Sequence, residues 1–534
     1  MRTIDRWNFK INRTLWHIVA IWITAIFLRL YKLGFQALFF DEAHSWLTSQ
    51  YPLSDLLGIL LHENHVPFYY LLLKIYLKFI PQTEIGLRSF SVIFSLLSLA
   101  MLMWVTYRCW GIRAAVFAGW LLAISPFEIY YAQETRMYTL LSFQWMLSLA
   151  FLLIALAGKP KFLIPWSINL VLISYVQATG LILAATHALI VGGIWITGKF
   201  RQRKRPPVTE NREISVTEPF FRATEMLSQN SKWVLLSGAI IALGVLPTVL
   251  ILLFTDNWHG MGGGVWIPTS KDFLNLFLLF SVGTTAVRSA FLDSANLTLP
   301  IIDSIPTWGW FIAGMAIGGL AIYGAIWAWK TDRQKRLLIG IVLFSLLFPI
   351  AMVWLLGKLL NQYTWAYKSF LGSILLLFML AGIGFSRINQ AWLRRSLVVF
   401  TFCVALLSLI PYFTIWQKSE ARIAFQSAKP GTLLLERSYL SSLAHFYLGK
   451  DASLIGLVSH PENEKIFWDI QFGPGYLYGY KAISCHQVRV EAPKNIWIYG
   501  NGEIVRQHLE GHLNCFGDAQ LWIFENGSWI PFDL

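Results

Sequence analysis

Stretches of fourteen or more residues without a single Asp, Glu, Lys or Arg recur along the chain, at 15–28, 89–105, 162–175, 234–254 and 337–356. Lipid offers backbone N–H and C=O groups no partners, so such a run must close its own hydrogen bonds as a helix. About 20 mostly apolar residues suffice to cross a bilayer. Composition agrees: 56% of residues are hydrophobic and 13% are charged, where a soluble chain carries about a quarter charged. The surplus apolar surface has to face lipid. The chain therefore reads as a mainly α, polytopic membrane helix bundle.

Spans of this length fit at 14–33, 88–107, 114–130, 138–157, 162–178, 181–198, 233–254, 308–329, 337–356, 369–385 and 397–415, about eleven in all. The first follows Arg2, Arg6, Lys10 and Arg13 with no small-residue cleavage site before Arg29, so it is expected to stay in the chain. Alternate loops then carry twenty-three Lys and Arg on one side against ten on the other. Basic loops stay in the cytoplasm. The N-terminus and the basic loop 199–232 are therefore expected inside. The C-terminal region 417–534 is expected outside, and 1–416 forms the transmembrane domain. The net charge of +14 belongs to this topology rather than to nucleic-acid binding, since no soluble segment interleaves aromatic and basic residues.

The segment 68–80 is apolar but short, and Lys74 and Lys78 interrupt it. It reads as an interfacial helix whose lysines snorkel to the headgroups. That makes 34–87 one long external loop, with a second at 255–307. From 417 charges return and short β-type runs appear at 432–435, 495–499 and 521–524, with a helical patch at 439–448. A small extracytoplasmic α/β domain is expected. Cys109 and Cys403 sit in or beside spans, while Cys485 and Cys515 lie in this domain and would be free to pair in an oxidising compartment.

Charged residues at the external membrane face are the chemically informative ones. Asp41 and Glu42 are adjacent acids after Phe39-Phe40. They fit a base acting on an acceptor hydroxyl or amine, a divalent-cation site, or a helix N-terminus with Asp41 as N-cap. His65 opens a Pro67-bounded aromatic stretch containing Tyr69. Its spacing from His62 is that of a metal pair, but no third ligand is evident and Pro67 opposes a continuous helix. Glu84 and Arg88 are four apart and suit either a helical ion pair or anion binding by Arg88. Glu128, Glu134 and Arg136 lie in one external turn, where Arg136 is placed for a phosphate or for an ion pair with either acid. Lys368, beside Trp365 and Tyr367, suits a phosphate, and the two aromatics suit an interfacial belt.

The ordered set is more specific than its parts. Asp41-Glu42, His65-x-Pro67-x-Tyr69, Arg88-Ser89-Phe90-Ser91, Ser125-Pro126 and Tyr131-Ala132-Gln133-Glu134-x-Arg136-Met137-Tyr138 resemble membrane glycosyltransferases of the GT-C fold. The branch with protein O-mannosyltransferases and lipid A aminoarabinose transferases is the most similar. The resemblance covers roughly residues 14–200, weakens beyond, and does not reach the C-terminal domain. It implies sugar transfer from a polyprenyl-phosphate carrier, outside the cytoplasm of a bacterial inner membrane, to a protein, lipid or polysaccharide acceptor. It implies that Asp41 is the catalytic acid residue, with Glu42 its neighbouring acid and Glu134 a second-loop acid. It implies that His65, Arg88, Arg136 and Lys368, with Tyr69 and Tyr138, serve the carrier phosphate. Where many relatives carry a Thr-His pair this chain has Gln177-Ala178-Thr179-Gly180. The cofactor is left unknown, with a divalent cation at Asp41 and Glu42 as the open alternative. Two other classes compete: a transporter or lipid flippase, disfavoured because no span interior holds an acid, and a non-catalytic scaffold, which would tolerate loss of the Asp41 charge.

Overall fold

The structure, a computed structural model, describes residues 2–62, 65–203, 219–254, 269–283, 307–331, 335–360, 366–414, 419–427, 432–435, 441–449, 454–457, 480–483, 495–499, 520–525 and 527–532. Trp365, Cys485 and Cys515, residues 204–218 of the loop 199–232 and most of the loop 255–307 lie outside the described residues. The chain sorts into two compact units, the first drawn from 1–31, 88–250 and 265–416 and the second from 32–87, 251–264 and 417–534. Residues 32–87 thus cluster with 417–534, whereas the sequence reading groups 34–87 with 1–416.

The first unit is helical. Its elements are α1 (Arg2–Leu30), α5 (Glu84–Trp110, whose first turn falls in the second unit), α6 (Ile112–Ala123), α7 (Pro126–Ala132), α8 (Tyr138–Leu156), α9 (Leu163–Ser174), α10 (Gly180–Arg203), α11 (Pro219–Gln229), α12 (Ser231–Phe254), α13 (Ser270–Ser281), α14 (Thr307–Thr331), α15 (Arg336–Leu360), α16 (Leu371–Ser386) and α17 (Ala391–Thr414). Among the described residues eight helices are long and apolar enough to cross a membrane, or nine if α6 and α7, bent by 60° at their junction, form one span. Two shorter apolar helices, Thr14–Leu30 and Pro160–Ser174, lie where two more spans were expected and fall short of that length. Large side chains stand exposed along them, Leu243 at 72% and Ile23 at 63%. Water would penalise that surface and lipid does not, so the chain is an integral membrane protein.

Helix α16 is the spine of this unit and is almost wholly buried. Small residues let its neighbours approach. A Cβ on Gly384 would run into the Leu320 carbonyl of α14, one on Gly382 into Ala114 of α6, and one on Gly372 into Trp145 of α8. Between membrane helices there is little hydrophobic drive, so close backbone packing on small residues supplies the contact energy.

The second unit holds three short helices, α2 (Phe40–Gln50), α3 (Leu53–His62) and α4 (Phe68–Tyr76), with α18 (Ala421–Ser427), α19 (Ser441–Leu448) and six strands. The strands are β1 (Thr432–Leu435), β2 (Leu454–Leu457), β3 (Tyr480–Ile483), β4 (Asn495–Tyr499), β5 (Gln520–Glu525) and β6 (Ser528–Pro531). They form one sheet in the order β3-β2-β1-β4-β5-β6, parallel except for β6, which pairs antiparallel with β5. The expected α/β domain is present. Gly527, just before β6, adopts φ 79°, the left-handed conformation tight hairpins demand. Lys74 departs from expectation. Its ammonium donates to the carbonyls of Ser49 and Tyr51, at 3.1 and 2.6 Å. It satisfies orphan acceptors at the end of α2 instead of snorkelling.

Candidate active site

Helix α2 carries the two adjacent acids, and its start decides their roles. Its N-cap is Phe39, not Asp41, so Glu42 falls at the third helical position. From there the Glu42 carboxylate accepts the Phe39 backbone N–H at 3.0 Å, the return half of a capping box. Glu42 is fully buried. Asp41 sits in the first turn, half-buried, and its carbonyl accepts the Ser45 hydroxyl at 2.9 Å. An acid in this turn is favoured by the helix dipole.

One helical turn beyond Asp41, His44 meets the expected His65. Their rings are 6.3 Å apart, and each faces Tyr70, at 6.4 and 6.1 Å. Tyr69 packs edge-on to Tyr70 at 5.4 Å, and both tyrosines are fully buried. The loop thus gathers Asp41's helix, His65 and Tyr69. His44 and Tyr70 were not singled out from the sequence, although the helical spacing from Asp41 to His44 was there to read. No group of three or more His, Cys, Asp or Glu is placed to hold a metal ion among the described residues. Among those residues the Asp41–Glu42 pair has no third His, Cys, Asp or Glu placed to join it, and Glu42 is engaged in capping.

The C-terminal region braces the segment leading to Asp41. Arg422 lies 2.8 Å from Glu84 and donates to the carbonyls of Phe35, Gly34 and Gln36 at 3.1, 2.9 and 3.0 Å. The Tyr447 hydroxyl accepts from the Leu38 backbone N–H at 2.8 Å and donates to Glu84 at 3.2 Å. Glu84 therefore pairs with Arg422, where the sequence suggested Arg88. Burial holds the Tyr447 phenol well above its ordinary range, and burial with the Asp55 charge pushes Tyr51 up to about 12.

The membrane unit gathers the cationic candidates. Arg88, Glu134 and Arg136 are almost fully buried. Ser91, on Arg88's helical face, donates to the Arg136 carbonyl at 3.3 Å. The Lys368 ammonium stands 5.3 Å over the Tyr138 ring, a cation–π geometry. Gln177, from the segment that departs from the family pattern, donates to Ser369 at 2.9 Å and steadies the short helix carrying Lys368. Tyr367 is buried and donates to Asp272 at 2.7 Å, so it is an internal strut and not a belt anchor.

A buried relay behind this group escaped the sequence reading. Arg29 Nε donates to Ser95 at 2.7 Å, and Ser95 donates to Glu128 at 2.9 Å. Arg29 also reaches the Ala123 and Leu122 carbonyls at 3.2 and 3.1 Å, which ties α1 to the end of α6. Glu128 thus faces Ser95 and Arg29's charge. Gln133 reaches back to the Leu28, Arg29 and Tyr31 carbonyls at 3.3, 3.0 and 2.9 Å and accepts from Tyr412 at 2.8 Å. These bonds cap the last turn of α1.

No protein-family model matches the chain, and no curated protein matches it in sequence. Among solved structures it is similar to ArnT from Cupriavidus metallidurans bound to undecaprenyl phosphate, at 14% identity and a TM-score of 0.50, covering 83% of this chain and 86% of that one. It is also similar to the oligosaccharyltransferase AglB from Archaeoglobus fulgidus, in complex with an inhibitory peptide and a dolichol-phosphate, at 12% identity and a TM-score of 0.44, covering 83% of this chain and 64% of that one. At 14% identity the likeness to ArnT is one of fold, and the fold is GT-C.

Proposed function

We propose that the chain is an integral membrane glycosyltransferase that moves a sugar from a polyprenyl-phosphate-linked donor to an acceptor outside the cytoplasm. The observation that carries this reading is the GT-C fold, shared over 83% of the chain with a protein solved with undecaprenyl phosphate bound. In this reading the membrane is a bacterial inner membrane, with the N-terminus inside and the C-terminal region outside.

Asp41 takes the proton of the acceptor hydroxyl or amine as that group attacks the anomeric carbon. The new bond forms as the bond from the anomeric carbon to the phosphate oxygen breaks. The carrier phosphate leaves with the bonding pair, and a single displacement inverts the configuration. Positioned general bases contribute about 10²–10⁴-fold. Arg88, Arg136 and Lys368 serve the phosphate, where one well-aimed donor contributes about 10²–10³-fold. His65, with Tyr69 and Tyr138, orients the carrier head. Glu42 holds the start of α2, and Glu134 is the second acid of the site. The bracing by Arg422 and Tyr447 supports a positioning role for the C-terminal region, since it fixes the approach to Asp41.

Donor use tests the reading. Membranes containing the protein are given sugars labelled on polyprenyl phosphate and the same sugars on nucleotides, with the linkage of the product determined. Transfer from the lipid-linked donor alone, with inversion, is expected. Direct use of nucleotide sugars, or retention, would overturn it.

A further inference from the structure

A cavity of about 610 Å³ opens in the membrane unit where α1, α6, α16 and α17 come together. The connectivity fixes which end of these helices it occupies. Thr14 begins the apolar part of α1, Arg113 lies in the first turn of α6, Ser386 ends α16, and Arg394 and Arg395 lie near the start of α17. This is the face that carries the basic loops, which the orientation proposed above puts at the cytoplasmic leaflet.

The lining has two characters. Its wall is apolar and aromatic: Phe117 stacks on Phe385 at 3.8 Å, and Trp120 meets Phe402 edge-on at 5.4 Å. Three guanidiniums, of Arg113, Arg394 and Arg395, join that wall, and no carboxylate lines the cavity among the described residues. Neither α6 nor α17 carries an acid in its first turn, so the helix dipoles add to the positive potential instead of being offset. The volume lies within the range of small-molecule sites, about 300–1,000 Å³. An apolar wall with clustered positive charge at its edge complements a molecule with an acyl chain and an anionic head. Basic pockets between membrane helices at the cytoplasmic side suit anionic lipid headgroups.

We infer that this cavity binds an anionic glycerophospholipid of the leaflet that faces the basic loops, with the headgroup phosphate on Arg113, Arg394 and Arg395 and an acyl chain along Phe117 and Phe402. The site shares no residue with the proposed catalytic set and does not depend on the reaction assigned to it.

The test uses the purified full-length protein in detergent and follows thermal unfolding and lipid adducts in native mass spectrometry. The probes are phosphatidylglycerol, phosphatidylcholine with the same chains, undecaprenyl phosphate and inorganic phosphate. Phosphatidylglycerol is expected to bind about tenfold more tightly than phosphatidylcholine and to raise the unfolding temperature. The variant R113Q/R394Q/R395Q should lose that preference. Because the triple variant can fail to fold, Val399→Trp is the second arm: Val399 is 61% exposed, so a larger side chain fits there and should block the adduct. The inference falls if phosphatidylcholine binds as well as phosphatidylglycerol. It also falls if undecaprenyl phosphate produces a shift that the cavity variants abolish, if inorganic phosphate alone produces the shift, or if a folded variant of either kind keeps the phosphatidylglycerol preference.

Discussion

Arg422 and Glu84, 338 residues apart in sequence, form a 2.8 Å ion pair, and the same guanidinium holds three successive carbonyls of the segment that leads into α2. The C-terminal region therefore fixes the approach to Asp41. Arg422→Ala should loosen residues 34–38, seen as faster amide hydrogen exchange there. It should lower transfer by about tenfold to a hundredfold, the scale of a 1 Å misplacement. Arg422→Lys should recover little, because an ammonium cannot present the planar fork.

The relay from Arg29 through Ser95 to Glu128 makes a stability prediction. All three residues are fully buried. Ser95→Ala leaves a guanidinium N–H and a carboxylate oxygen short of a partner, at about 1–3 kcal/mol for such a group. Glu128→Ala removes the partner charge outright and should cost more, about 3–5 kcal/mol. Thermal unfolding of the purified protein should rank them in that order below the wild type.

These two cases show what the sequence carries and what it hides. The spans were legible because a charge-free run of this length has few other fates. The α/β character of the C-terminal region was legible from alternating short strands and a helix. Pairings were not. Glu84 looked matched to Arg88 because helical spacing is the only distance a sequence displays, while its partner Arg422 lies far along the chain. Arg29 shows in the sequence only as a basic residue at the end of an apolar run, while its hydrogen bonds join α1, α5 and α6 and lead through Ser95 to α7. One residue at the start of α2 exchanged the roles of two acids: with Phe39 and not Asp41 as N-cap, Glu42 becomes the capping acid. Tyr367 looked like a belt aromatic because its partner Asp272 sits in another loop helix.

Lys368 provides a third prediction. Its ammonium lies over Tyr138, and in the proposed reaction it stabilises the departing phosphate. Lys368→Met keeps the apolar stem and removes the charge. Steady-state transfer should show kcat reduced by about a hundredfold with a smaller change in KM. A change in KM alone would assign Lys368 to carrier binding without a part in the displacement.

The fold favours the neutral phenol of Tyr51, whose folded value is pushed to about 12 against 10.0 unperturbed. Between those values the folded protein holds the proton that the unfolded chain has lost, so stability falls as pH rises. Tyr51 should contribute no pH dependence below about pH 9 and a loss between about 10 and 12. Tyr51→Phe should flatten that alkaline limb in melting temperatures measured from neutral to alkaline pH.

The most direct test compares wild type, Asp41→Asn and Glu42→Gln at matched levels in membranes, with transfer of labelled sugar from polyprenyl-phosphate donors as the readout. The account predicts a loss of about 10²–10⁴-fold for Asp41→Asn. Most activity should survive in Glu42→Gln, whose amide oxygen can still accept the Phe39 N–H. Equal transfer by wild type and Asp41→Asn would contradict the assignment of Asp41, and no transfer by wild type from any such donor would contradict the reaction itself.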